Sequence, residues 1–355
     1  MGRILIKNGT VWGGHAFYKA DVLTNNDKIL SIEKSIVDEA DFVYDASGKI
    51  VSPGLVDVHV HMKGTSAESF GINADMSCLP FGVTAAADAG RGAESHLILD
   101  NLGVKGLVFV YAQMKNNRFC TDGVEELLEL YGDKAIGIKV YFDTEMSDVW
   151  DITPLKEAVS FAREHNLILM VHCANSPVPM AEITSTLGEG DIITHTYHGG
   201  ANNASEDNFE CIVRAKARGV IIDVGFAGHV HTDFGILKRA IECGAIPDTI
   251  STDITKWSAY KRGGRYGMTM CMSIAEHLGM SREDVFQAVT SVPAKVLGME
   301  NEWGRLASGR TADVSVFEYA DEGYELCDTA GNTVKSENGY RCTLTISNGE
   351  IVYRR

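Results

Sequence analysis

The chain has 355 residues, of which 45% are hydrophobic and 23% charged, the balance of a folded water-facing protein rather than a disordered one. Its formal net charge of −16 excludes the basic footprint of a nucleic-acid binder and a polybasic membrane surface. The length suits one large domain plus a smaller one.

The N-terminus, Met1-Gly-Arg-Ile-Leu-Ile-Lys-Asn-Gly, turns polar at once, so no signal peptide is expected. No apolar run approaches the ~20 residues that span a bilayer. The eight cysteines form no C-x-x-C pair and are spaced irregularly. These features imply a cytoplasmic protein with reduced thiols and no membrane partner.

The first fifty residues read as short strands with breaks: Arg3-Ile-Leu-Ile-Lys before a turn at Asn8-Gly9, then Asp21-Val-Leu-Thr, Lys28-Ile-Leu-Ser-Ile and Phe42-Val-Tyr-Asp. The last fifty look alike, with Ala312-Asp-Val-Ser-Val-Phe, Tyr340-Arg-Cys-Thr-Leu-Thr-Ile and Glu350-Ile-Val-Tyr, and a hairpin signal at Asn348-Gly349. Residues 1–52 and 308–355 are therefore expected to meet in one small β-sandwich.

Residues 53–307 alternate strands and amphipathic helices, the pattern of a parallel α/β fold. Strands are expected at 54–60, 83–88, 106–112, 135–141, 167–172, 191–195, 220–225 and 249–253. Thr153-Pro154 supplies an N-cap and first-turn proline to a helix burying Leu155, Ala158, Val159 and Ala162. Ser281-Arg-Glu-Asp fits a capping box before Val285, Ala288, Val289 and Val292. Eight such units over ~250 residues suit a closed (β/α)8 TIM barrel. An open doubly wound sheet fits less well, because no G-x-G-x-x-G follows a strand.

His59 and His61 end the first of these strands, two residues apart and so on one face. That spacing is weak alone, and it recurs at His229 and His231. Position is the stronger signal. Lys139, His172, His195 and Asp253 each end an otherwise apolar strand, and in a barrel those ends converge on the catalytic face. Ionisable groups buried there are costly unless partnered, and a metal cluster partners them all. Nitrogen and oxygen donors without cysteine suit zinc first, with manganese, iron or cobalt as alternatives.

The segment Asp45-Ala-Ser-Gly-Lys-Ile-Val-Ser-Pro-Gly-Leu-Val-Asp-Val-His-Val-His resembles the first-strand signature of the amidohydrolase superfamily. Gly304-Arg-Leu-Ala-Ser-Gly-Arg-Thr-Ala-Asp-Val is similar to that superfamily's return to its β domain. Tyr266-Gly-Met-Thr-Met-Cys-Met-Ser and Leu278-Gly-Met resemble the dihydroorotase-like branch, in particular its bacterial amidohydrolase and deacetylase group. The resemblance implies that His59, His61 and Asp253 bind one divalent cation and His172 and His195 a second. It also implies a CO2-derived carbamate on Lys139 bridging the two, and a metal-bridging hydroxide with Asp253 as general base and acid.

Lys63, Arg91, Tyr141, Lys256, Trp257, Arg262 and Arg265 follow strand ends, and as a group they suggest a site for an anionic small molecule. His198, His229 and His231 lie past strands six and seven, on the same side. Of these, Lys63, Arg91, Tyr141, His229, His231, Lys256 and Arg265 are the expected substrate-binding residues. Dihydroorotases often carry arginine two residues after the H-x-H pair; Lys63 stands there, a point charge without a bidentate fork. Deaminases of the superfamily often place Glu three residues after the fifth-strand histidine; Asn175 stands there. The expected activity is therefore hydrolysis of an amide, cyclic amide or ester of a carboxylate-bearing small molecule, deacetylase-like first. A dihydroorotase- or hydantoinase-type cyclic amidohydrolase comes second, and a nucleobase deaminase or a metal-free scaffold further behind. A homo-oligomer without nucleic-acid partners is expected.

Overall fold

A computed structural model describes residues 2–62, 70–91, 99, 102–228, 230–260, 264–321, 323–328 and 330–355. Seven strands run parallel, each paired with the next in chain order: Leu55–Val60, Val83–Arg91, Lys105–Tyr111, Ala135–Tyr141, Ile168–His172, Ile192–Thr194 and Ile221–Ile222. Residues 249–254 complete the ring through parallel bridges from Thr249 to Asp223 and from Ile254 to Val60. The chain is thus a TIM-barrel-like fold with an extra sheet built from its ends. The eighth strand expected at 249–253 forms bridges rather than a continuous ladder. Its Thr252 N–H and hydroxyl donate instead to the buried Asp57 carboxylate, at 3.2 and 2.7 Å. The seventh strand is likewise shorter than the expected 220–225.

These strands are apolar because both faces are covered. Val108, Val110, Ile138, Val140, Leu169, Val171 and Ile193 pack in the large cluster that includes helix residues Leu155, Ala158 and Ala162. Their neighbours Leu107, Phe109, Met170 and Ile192 form a second cluster with Val58, Ala85, Ala87, Ala89 and Trp303. Lys139 and His172 alternate with the first set and therefore face the second. Gly137 makes room there, since a Cβ on it would stand 2.8 Å from the Phe109 ring and 2.2 Å from the Ile168 carbonyl.

Ser281 caps the helix Arg282–Ala288 as expected, its side chain accepting from Asp284 N–H. Thr153 does not cap the next example. It is already helical, Ile152 occupies the cap position, and Asp151 takes the Thr153 N–H at 2.8 Å. Among the described residues no helix is long and apolar enough to cross a membrane, and the cysteines are free thiols.

The end strands hydrogen-bond as one sheet rather than two separate layers, in the order Glu350–Arg354, Gly339–Ser347, Val314–Ala320, Ile50–Pro53, Arg3–Trp12, Phe17–Asn25, Lys28–Glu33, with Phe42–Asp45 also on Arg3–Trp12. One face closes over Ile6, Val11, Val22, Val51, Val314, Leu344 and Ile346. Asn348-Gly349 makes the expected hairpin, both residues at positive φ. Asn8-Gly9 makes no turn: Asn8, at φ 63°, is a bulge inside Arg3–Trp12, its N–H held by Asp21 at 2.7 Å.

Candidate active site

Two sets of three ligand atoms converge at the strand ends. One is His59, His61 and Asp253; the other is His172, His195 and His231. Within each set the atoms lie within 4.8 Å of one another. The sets abut, with the His59 and His195 ring centroids 5.2 Å apart. His59 Nε2 and His61 Nε2 stand 3.2 and 2.8 Å from Asp253 Oδ1, and His195 Nε2 stands 3.8 Å from Oδ2. Lys139 Nζ, fully buried, is 3.3 Å from His59 Nε2.

Supporting hydrogen bonds fix which imidazole nitrogen faces the centre. Thr194 Oγ1 donates its proton to Asp223 at 2.7 Å, so toward His59 Nδ1, at 3.1 Å, it can only accept. Nδ1 of His59 then carries the hydrogen, and Nε2 presents a lone pair to Lys139 and Asp253. Thr249 and Ser251 hydroxyls also donate to Asp223, at 2.7 and 2.6 Å, which holds the relay in place. His195 Nδ1 donates to the Gly225 carbonyl at 2.7 Å, leaving its Nε2 as an acceptor. His172 Nε2 is 3.1 Å from Asp143 Oδ2. Burial opposes charge on Asp143, yet bonds from His172 and the Glu145 N–H keep its carboxyl below the usual range. His172 therefore donates from Nε2 and keeps Nδ1 free.

The backbone is bent to make this arrangement. His195 and Asp253 sit at φ 61° and 45°, left-handed values uncommon outside glycine. Gly225 accommodates the first: a Cβ there would stand 2.6 Å from His195 Nδ1.

Burial, reinforced by the Lys139 charge, pulls His59 down to about 3. Burial also brings His172 to about 4 and lowers His195 well below the ordinary value, with His231 and His172 adding to the latter. These rings are neutral at pH 7, the form that ligates a metal. Asp253 Oδ1 is buried and accepts no well-directed hydrogen bond among the described residues, although two imidazoles crowd it. Lone pairs facing lone pairs across 3 Å fit a cation between them, so the residues present suit a metal centre.

Tyr141 flanks the cluster, its ring centroid 5.2 Å from His172 and 5.7 Å from Lys139 Nζ. A cavity of about 360 Å³ opens onto Asp253 and is walled by Ala227, Val230, His231, Thr255, Trp257 and Ser258. Lys256 lines a neighbouring cavity with Tyr260 and Tyr266, and Arg265 is exposed in another groove beside Asp321 and Arg341. Neither lines the Asp253 cavity, although the Lys256 Nζ lies 5.9 Å from the centroid of the Trp257 ring that walls it. Lys63, His229 and Arg262, and the Arg91 side chain, lie outside the described residues. His198 borders an adjoining cleft with His231, Asn175 and Ala330. The sequence pattern alone does not mark Thr194 and Asp223 as supporting groups. Asp223 was detectable in principle, as a carboxylate ending the strand just before His229 and His231.

Thr194→Val keeps the shape but leaves the His59 Nδ1–H without an acceptor. It is expected to weaken metal binding roughly 10–100-fold. Chelator competition checks this, and unchanged affinity would refute the relay.

Barrel, end sheet and convergent polar cluster define a TIM-barrel-like scaffold whose His and Asp groups could hold metal ions. An amidohydrolase family model matches residues 50–352, and the chain belongs to that family. It is 30% identical to a deacetylase of Brucella anthropi over 95% of this chain and 89% of that one. It is 28% identical to a deacetylase of Agrobacterium fabrum, over 94% and 86%. Among solved structures, a dihydroorotase superposes with a TM-score of 0.87 at 25% identity, covering 99% of this chain and 98% of that one. The protein is accordingly an enzyme, a hydrolase of the class acting on carbon–nitrogen bonds.

Proposed function

We propose that the protein removes an acyl group from a small carboxylate-bearing molecule, cleaving an amide or ester bond at a centre of two divalent cations, zinc first. The observation that carries this reading is the pair of three-ligand clusters meeting beside a buried lysine. His59, His61 and Asp253 would hold one cation and His172 and His195 the other, with Lys139 between. Such cations supply an acidified water and a polarised substrate carbonyl.

The chain's own residues do the rest. Burial lowers Lys139 to about 8, against the pull of Asp253 and Asp223, so its neutral amine is accessible. That amine adds CO2 and releases a proton, which turns an ammonium into an anionic carbamate able to join both halves of the site. Asp253 faces His59 and His61 through Oδ1, leaving Oδ2 to take a proton from the attacking water and deliver it to the leaving nitrogen or oxygen. The hydrogen bonds through Thr194, Gly225 and Asp143 hold the imidazoles still while charge develops.

The deacetylase relatives support the acyl-group part of the reading. The carboxylate part rests on Lys63, Arg91 and Arg262, cations following strand ends in an acidic chain. A cyclic amide substrate is the second reading, favoured by the superposition on a dihydroorotase. A screen of N-acetyl amino acids, O-acetyl hydroxy acids, dihydroorotate and hydantoins separates the two. Turnover is expected with acetylated acids. Neutral amides of the same compounds should compete roughly 10-fold more weakly or worse, the cost of one charge-assisted hydrogen bond. Turnover confined to cyclic ureides would overturn the proposal.

A further inference from the structure

We infer that His231 is a third nitrogen ligand of the second cation, so that this position is seated by three imidazoles, His172, His195 and His231. This rests on the metal-centre reading above and goes beyond the ligand set that the sequence resemblance implies.

His231 arrives from a different part of the chain, the loop after the strand Ile221–Ile222. Its ring centroid nevertheless lies 4.3 Å from that of His195 and 4.8 Å from that of His172. One nitrogen of each ring falls within 4.8 Å of one nitrogen of each other ring. Among the described residues no group hydrogen-bonds to either His231 nitrogen, and the ring is partly open to the cavities it borders.

The loop is held where a ligand needs it. Asp233 N–H donates to the Tyr197 carbonyl at 2.9 Å, tying the segment to the turn that carries His195. Asp233 also caps the helix Phe234–Glu242 through Ile236 N–H at 2.9 Å. Phe234 N–H donates to the buried Asp328 carboxylate at 2.9 Å, a group from the distant hairpin region of the chain. Three anchors on adjacent residues leave the segment little freedom.

The chemistry separates the halves of the centre. His59, His61 and Asp253 carry one negative charge as ligands, whereas His172, His195 and His231 carry none. Three neutral nitrogens suit zinc and form an independent seat for it. With the Lys139 carbamate shared by both halves, a three-imidazole seat would leave more positive charge on its cation than one that also contains Asp253, and would favour it for polarising an oxygen.

The test uses full-length protein stripped of metal: wild type, His231→Ala and His231→Gln, each titrated with Co2+ under chelator competition and followed by visible absorption. Wild type is expected to take up two Co2+ ions. Both variants should bind one ion as wild type does, which also reports an intact fold. They should bind the second at least roughly 100-fold more weakly, with loss of its absorption bands. Two ions bound with wild-type affinity and spectrum in both variants would overturn the inference, and a change confined to KM would mark His231 as a substrate contact. A wild-type protein that takes up no Co2+ would instead overturn the metal-centre reading beneath it.

Discussion

Asp253→Asn is expected to lower kcat by roughly 10²–10⁴-fold, the range of a positioned proton carrier, while the protein stays folded and keeps much of its metal. The amide is nearly isosteric, and its oxygen can still face His59 and His61 where Oδ1 does now. It cannot take a proton near pH 7. Comparing kcat with bound metal in the same preparation checks the point. If metal and rate fell together, Asp253 would be a ligand and nothing more; if the rate stayed near wild type, it would not be the base.

Lys139→Ala is expected to abolish detectable turnover and to weaken metal binding, because it removes the group between the two clusters. An unmodified ammonium could not serve there. At ~4 Å and an effective dielectric of about 20, a unit charge facing a dication costs on the order of 8 kcal/mol. In the proposed centre the amine that burial brings to about 8 would avoid this cost by adding CO2. Formate or acetate, diffusing into the space left by the side chain, should restore part of the metal affinity and part of the rate. Full activity in Lys139→Ala without added carboxylate would refute the bridging role.

Much of this site was legible because a barrel converts sequence position into spatial position. His59, Lys139, His172, His195 and Asp253 each follow an apolar run, and strand ends in a closed barrel meet at one face. The six residues lie close together: His59 and His61 face Asp253, Lys139 faces His59, His195 approaches Asp253 at 3.8 Å, and the His172 and His195 ring centroids are 4.5 Å apart. What loops do was less legible. His231 and Arg265 looked alike as polar residues past strand ends. Yet the anchors through Tyr197 and Asp328 fold one onto His195, while the other stays exposed beside Asp321. Those anchors join residues far apart in sequence, so no local pattern announces them.

The same distinction governs the fold. Asn348-Gly349 turned as expected because a strand with a matching partner follows immediately. Asn8-Gly9, with equal turn propensity, became a bulge because Asp21 on the paired strand captured the Asn8 N–H. Residues 249–254 still bond to the segments on both sides, but the Thr252 N–H goes to Asp57, a buried carboxyl that burial raises to about 7 despite the Thr252 bonds.

Every proposed role in this site depends on the metal. Protein purified after growth in zinc-supplemented medium, washed free of loose ions and analysed by inductively coupled plasma mass spectrometry, should carry close to two divalent ions per chain. His59→Ala in the same preparation should carry fewer. A wild-type content near zero, in protein that is folded and turns over an acyl substrate, would contradict the two-cation centre.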